Sequence, residues 1–152
     1  MVTEYSDQDF IQIIHRILSS QYFAVLNTVR CGKPFSNLVA FAAADDMKSI
    51  VFSTSRKNRI YTAIKRNSVV SLLIDNRTNQ PEDISNALAI TVMGTACENA
   101  ENRIRFRELL INKVPPLERF VSQPGTVLIE VMVDAYIVSG FNQSQRVSMG
   151  PS

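Results

Sequence analysis

Hydrophobic and polar positions change rhythm along this chain, and each rhythm predicts a different element. Phe10, Ile13, Ile14, Ile17 and Leu18 recur at three- and four-residue steps behind Ser6 and Asp7, which predicts a capped amphipathic helix. His15 lies near the edge of its apolar face. Residues 22–29 are rich in aromatic and β-branched side chains and read as a strand. Residues 30–34 contain Gly32 and Pro34 and read as a turn. A second strand follows over 35–44, a polar turn over 45–48, and a third strand from 49 to 52. A short helix within 56–67 carries Ile60, Tyr61 and Ile64 on one side. Residues 69–74 are almost wholly apolar, which predicts a central strand covered on both faces.

Residues 75–85 are polar, include Pro81 and read as a loop. Leu88, Ile90 and Val92 then alternate with Ala89, Thr91 and Met93 in a fifth strand. Residues 99–112 predict a charged helix with Ile104, Leu109 and Leu110 facing inward, ended by Pro115 and Pro116, with a further helical turn at 117–121. Val127, Ile129, Val131 and Val133 alternate in a sixth strand, and 136–141 reads as its continuation or a seventh. The expectation is one domain over 1–152, with 1–6 and 148–152 as frayed ends. The class is α+β, mainly β. Hairpin-length turns between the first three strands argue for antiparallel pairing, and a sheet of this many strands tends to close into a barrel.

Composition narrows the chemistry. A length of 152 residues with 45% hydrophobic side chains suits a single domain with a real core. Sixteen basic against fourteen acidic residues leave a charge of +2, too balanced to argue for nucleic acid. No apolar run approaches the roughly 18 residues needed to span a membrane. The first seven residues are acidic and polar, unlike a secretory signal, so a cytoplasmic protein is expected. Cys31 and Cys97 stand in no metal or redox spacing and are expected as free thiols, and His15 is the chain's one histidine. A Cys/His zinc site lacks ligands, and a Ser-His-Asp triad would have to use His15.

The densest chemistry lies at the junction after the third strand. Ser53, Thr54 and Ser55 supply hydroxyls, and Arg56, Lys57 and Arg59 supply cations. A strand-to-helix junction points free backbone N–H groups and the positive end of the helix dipole outward, so the cluster suits a phosphate. The alternative is a solvated basic turn. At helical spacing Arg59 is turned about 200° from Lys57, away from the junction. Nucleic acid is poorly served, because only Phe52 and Tyr61 supply aromatic faces beside Arg56, Lys57, Arg59, Lys65 and Arg66.

The order of these segments resembles the FMN-binding split-barrel family related to pyridoxamine 5′-phosphate oxidase. The matching runs are Gly32-x-Pro34, Asn37-Leu38-Val39-Ala40-Phe41, Ile50-Val51-Phe52-Ser53-Thr54-Ser55-Arg56-Lys57, Asn67-Ser68-x-Val70-x-Leu72 and Ala135-Tyr136-Ile137-Val138-Ser139-Gly140-Phe141. Together they span roughly residues 8 to 147. The resemblance implies a six-stranded antiparallel split β-barrel with short flanking helices, forming a homodimer with flavin in grooves at the interface. It implies that Arg56 and Lys57 hold the FMN phosphate, that Ser53, Thr54 and Ser55 line the phosphate and ribityl chain, and that Asn37, Leu38, Val39 and Ala40 lie beside the isoalloxazine ring through main-chain groups. Ala40, Ala42 and Ala43 either leave room for the ring or simply pack the strand.

The implied function is an FMN-binding flavoprotein, an oxidoreductase acting with a small-molecule redox partner. The alternatives are a deazaflavin- or haem-binding split barrel, or a non-enzymatic flavin-binding or regulatory domain. The chain departs from true pyridoxamine phosphate oxidases in lacking tryptophan and a counterpart of their late Arg-His motif; Arg146 is its one late arginine. Residues 99–124 form an added segment, expected over the site or the dimer edge.

Overall fold

A computed structural model describes residues 6–141 and 144–149 of the chain. Its strands are β1 (Phe23–Arg30), β2 (Lys33–Ala43), β3 (Ser49–Ser55), β4 (Val69–Asp75), β5 (Ala89–Glu98), β6 (Thr126–Ser139) and β7 (Ser144–Ser148). The helices are α1 (Asp7–Ser20), α2 (Arg59–Arg66), α3 (Asp83–Asn86), α4 (Arg103–Lys113) and α5 (Glu118–Val121). The strand order is β3-β2-β1-β4-β5-β6-β7, and β3 also pairs with β6. That last pairing closes a six-stranded antiparallel barrel and leaves β7 as an added strand on β6.

Local chemistry sets the register. Cys31 and Gly32 occupy left-handed conformations, at φ 51° and 73°, in a two-residue turn that joins β1 to β2. Two consecutive positive φ values match the twist of paired strands, and glycine takes one of them without strain. Ser6 caps α1 in a reciprocal box: its hydroxyl accepts from Asp9 N–H at 3.2 Å, and its own N–H donates to the Asp9 carboxylate at 2.9 Å. Inward positions of all six barrel strands form the main core, including Leu26, Phe41, Phe52, Leu72, Ile90 and Ile129, and α1 closes it with Ile14, Ile17 and Leu18. Fully burying such a side chain stabilises by about 1.5–3 kcal/mol. Tyr136, wholly buried, donates its hydroxyl to the Met47 carbonyl at 2.6 Å.

A second, smaller core lies outside the barrel wall. Phe106 and Leu110 of α4 and Val121 of α5 pack on Ala42, Val51 and Leu128. The added segment therefore covers the outer face of β2, β3 and β6. This explains why every residue from Thr126 to Val131 is buried. The doubly covered strand is thus β6, not residues 69–74: β4 alternates, with Val69 60% exposed on the outside. Ile104 also differs from its expected place. The helix begins at Arg103 and turns Ile104 to solvent, 76% exposed, while Phe106 and Leu110 face inward four residues apart.

The expected 75–85 loop leads into the short α3, whose Asp83 carboxylate accepts the N–H groups of Thr78 and Asn79. Residues 136–139 continue β6. β7 carries a single aliphatic side chain, Val147, and its sequence shows no strand rhythm. Of the ends expected to fray, residues 1–5 and 150–152 lie outside the described residues, Ser6 caps α1 and Ser148 ends β7.

Gly94 marks a register shift between β5 and β6. A Cβ there would stand 2.5 Å from the Met132 carbonyl oxygen and 2.7 Å from Val131 Cγ1. Gly94→Ala should therefore lower stability by about 1–3 kcal/mol in urea unfolding, the usual cost of overpacking. A second expectation concerns Lys113, whose ammonium donates to the Leu18 carbonyl at 2.7 Å and sits 3.8 Å from the Phe41 ring centre. Burial lowers its pKa from 10.5 to about 8. Between those values the unfolded chain binds the proton that the folded chain has shed, so stability rises with pH over this window. Lys113→Met should flatten that rise in unfolding curves taken at pH 7.5 to 10.

Candidate functional site

β2 and β3 pair only at Phe41 with Phe52, Ala42 with Val51 and Ala43 with Ile50. Beyond Phe41 the two strands part. Residues 37–40 of β2 continue to pair with β1, and residues 53–55 of β3 continue to pair with β6. Their facing edges bound an opening in the barrel wall. Every second residue of β2 directs its main-chain N–H and C=O away from β1, so this edge offers donors and acceptors to whatever lies alongside. α2 plugs the barrel at this end with Ile60, Ala63 and Ile64. Between α2 and the β1–β2 hairpin lies a cavity of about 110 Å³, lined by Thr28, Arg30, Phe35, Ser36, Asn37 and Arg59, with Ile60 and Ala63 as its floor.

The residues picked out in the sequence divide between the two faces of their strands. Asn37 lines the cavity. Val39 is buried in the main core, Leu38 is 71% exposed on the outside and Ala40 is half-buried. On β3 the hydroxyls separate. Thr54 points inward and is buried, while Ser53 and Ser55, on the opposite side, stay half-buried. Ala42 sits under α4 and α5, and Ala43 packs against the main core.

The junction is more tightly wired than an open anion site. The Arg56 N–H donates to the Gly125 carbonyl at 2.9 Å, and the Lys57 N–H donates to Ser55 Oγ at 3.2 Å. Asn58 caps α2 by accepting the Ile60 N–H at 2.9 Å. These backbone donors are satisfied internally, so the cations carry what anion affinity the junction has. Arg56 is engaged as well: its guanidinium donates to Glu98 Oε1 at 2.7 Å and to the Tyr61 hydroxyl at 2.8 Å. Tyr61 in turn donates to Glu98 Oε2 at 3.0 Å. Hydrogen bonding to Glu98 raises the Arg56 pKa further. Burial pushes the Glu98 carboxyl up, but the bonds from Arg56 and Tyr61 outweigh it and leave the carboxyl below its ordinary value.

Lys57 is exposed. Arg59, expected to turn away, instead lines the cavity beside Asn37 and Arg30. Among the described residues neither Arg30 nor Arg59 has a carboxylate partner. Sequence reasoning misses Arg30 and Thr28. The signal for them is the tight turn, whose register sets Thr28 opposite Phe35 and Arg30 opposite Lys33, at the same barrel end as Asn37.

Elsewhere, His15 is exposed on α1, and Cys31 and Cys97 are unbonded thiols. Among the described residues no group of three or more His, Cys, Asp or Glu side chains could hold a metal ion, and no helix is long and apolar enough to cross a membrane.

Comparisons extend the picture. A solved structure of a heme binding protein from Mycobacterium smegmatis matches with a TM-score of 0.77 at 13% identity, over 87% of this chain and 55% of that one. The chain thus spans little more than half of that protein's length. General Stress Protein 26 from Bacillus anthracis str. Sterne matches with a TM-score of 0.67 at 24% identity, over 91% of this chain and 98% of that one. A FAD-binding protein from Mesorhizobium loti matches with a TM-score of 0.65 at 11% identity, over 91% and 94% of the two chains. No curated protein matches. These likenesses show a shared fold. The family model for pyridoxamine 5′-phosphate oxidase matches residues 11–137, most of the barrel, and on that ground the chain belongs to the pyridoxamine 5′-phosphate oxidase family.

Proposed function

We propose that this chain is an FMN-binding flavoprotein that serves as an oxidoreductase for a small-molecule partner. The observation that carries the reading is the opening between β2 and β3, with Asn37 to Ala40 on one bank and Ser53 to Ser55 on the other. A flat tricyclic ring with a phosphate tail needs an edge of directed main-chain groups for the ring and cations for the tail. Here Asn37 of the strand edge shares a cavity with Arg59 and Arg30, and the exposed Lys57 stands two residues before Arg59 in the chain. FMN, when bound, supplies the hydride and electron transfer. The protein's own task is to orient the ring along β2 and hold the phosphate. Arg56, tied to Glu98 and Tyr61, shapes the junction in this reading and contributes less to the phosphate than Lys57 does.

A haem ligand is the second reading, favoured by the likeness to the Mycobacterium smegmatis protein. His15, the chain's one histidine, stands exposed on α1 and lines a cavity with Ala42 to Asp45, away from the opening. The opening therefore offers no histidine that would hold a haem iron. Absorption of the reconstituted protein separates the two.

The reading includes a homodimer. Leu38, Val25, Leu73, Thr91 and Ile137 are register partners in one row across the outer faces of β2, β1, β4, β5 and β6. Phe23 and Val69 add exposed apolar surface on the same side. A second copy would cover this row.

Two outcomes test the proposal. Lys57→Ala and Arg59→Ala should each weaken FMN by about 1.5–3 kcal/mol, the worth of a charge-assisted hydrogen bond, and leave riboflavin binding unchanged. Fluorescence titration that finds FMN and riboflavin bound equally well by the parent protein sinks the phosphate assignment. Sedimentation should show twice the chain mass for the parent and a single chain for Leu38→Asp. A parent that sediments as a monomer and still binds FMN contradicts the interface.

A further inference from the structure

A separate cavity of about 220 Å³ lies between α1, the turn from β2 to β3, and α4. Ala43 on its wall is six residues along β2 from Asn37, roughly 20 Å at the rise of a strand, so it is distinct from the opening. Three consecutive alanines, Ala42 to Ala44, keep its wall thin. One lysine lines it, Lys113, and the Leu18 carbonyl that its amine meets belongs to another lining residue. His15 from α1 and Asp45 from the turn are the other titratable groups on its lining. Among the described residues no carboxylate comes within 4.0 Å of the Lys113 amine. Its partners are the Leu18 carbonyl and the face of Phe41.

We propose that Lys113 is a carbonyl-capture site, where the amine condenses with a small neutral aldehyde held in this cavity. The amine nitrogen attacks the carbonyl carbon as the C=O π bond opens onto oxygen. The nitrogen then loses a proton, the oxygen leaves as water, and a C=N bond forms. Amine and aldehyde give imine and water, with no oxidant or reductant consumed. His15 and Asp45 are the lining groups available to move protons to the departing oxygen. The surroundings suit the product as well as the free amine. A protonated imine keeps one N–H and the positive charge, so it can still donate to Leu18 and face the Phe41 ring. The small walls limit the size of the aldehyde, and Asp45 disfavours an anionic one.

Burial is what makes the amine available. With the pKa of Lys113 lowered from 10.5 to about 8, about a quarter of it is neutral at pH 7.5, against about one part in a thousand of an ordinary lysine.

The competing role is a purely structural one, in which Lys113 only caps the end of α1. The protein treated with propanal and cyanoborohydride at pH 7.5, then mapped by peptide mass analysis, distinguishes them. Lys113 should be propylated about tenfold or more faster than the exposed Lys33, Lys48, Lys57 and Lys65, with a rate–pH midpoint near 8. Lys113→Arg keeps a cation for Leu18 and Phe41, so it should fold normally and lose the fast phase. Modification of Lys113 no faster than the four exposed lysines, or a fast phase that persists in Lys113→Arg, overturns the proposal.

Discussion

The pairing of β3 with β6 governs both the closure of this barrel and the position of its opening. It runs without a break from Ser49 opposite Met132 to Ser55 opposite Thr126. A strand has two hydrogen-bonding edges, and β3 gives one of them wholly to β6. Its other edge meets β2 for three residues and then diverges. Closure and opening are therefore two aspects of one geometry. A β3 that followed β2 to its end would seal the wall and pull away from β6, leaving two free edges where there is now a built concavity. The same pairing fixes α2, because the chain leaves β3 at Ser55 and must turn at once beneath the barrel.

Much of this is legible in the sequence. The five matching runs, taken in order, carry the family and the barrel, and the alternating rows of β5 and β6 carry their inward faces. The failures have physical reasons. Residues 69–74 are apolar on both parities, but their outer face stays partly open, with Val69 exposed, and sequence cannot say which strand an excursion will cover. Counting apolar residues places Ile104 inward, whereas the phase of α4 is set by its start at Arg103 and by the fit of Phe106 against Val51 and Leu128. β7 is invisible because its side chains alternate in burial but only one of the five, Val147, is apolar, so the alternation leaves no hydrophobic rhythm in the sequence.

The basic junction shows the limit more sharply. Three hydroxyls and three cations in seven consecutive positions look like one cluster along the chain. In space a strand sends alternate side chains to opposite faces, so Thr54 parts from Ser53 and Ser55. Arg56 finds its counter-ion forty-two residues later, at Glu98, through a strand pairing no local reading supplies. Arg59, which helical phase alone turns away, gains a neighbour in Arg30 from the hairpin instead. Spacing identifies the right stretch of chain, while tertiary contacts redistribute the work among its members.

β7 has a consequence for the molecule in company. Barrel closure occupies the edges of β3 and β6 that would otherwise recruit a neighbour, and β7 then becomes the strand that ends the sheet. Its residues are Ser144, Gln145, Arg146, Val147 and Ser148: short, polar and positively charged at the centre. A terminal strand of this kind is a poor template for another chain's strand, since docking would bury the arginine and gain one valine. Crowded copies of this protein therefore gain little by adding to one another along β7.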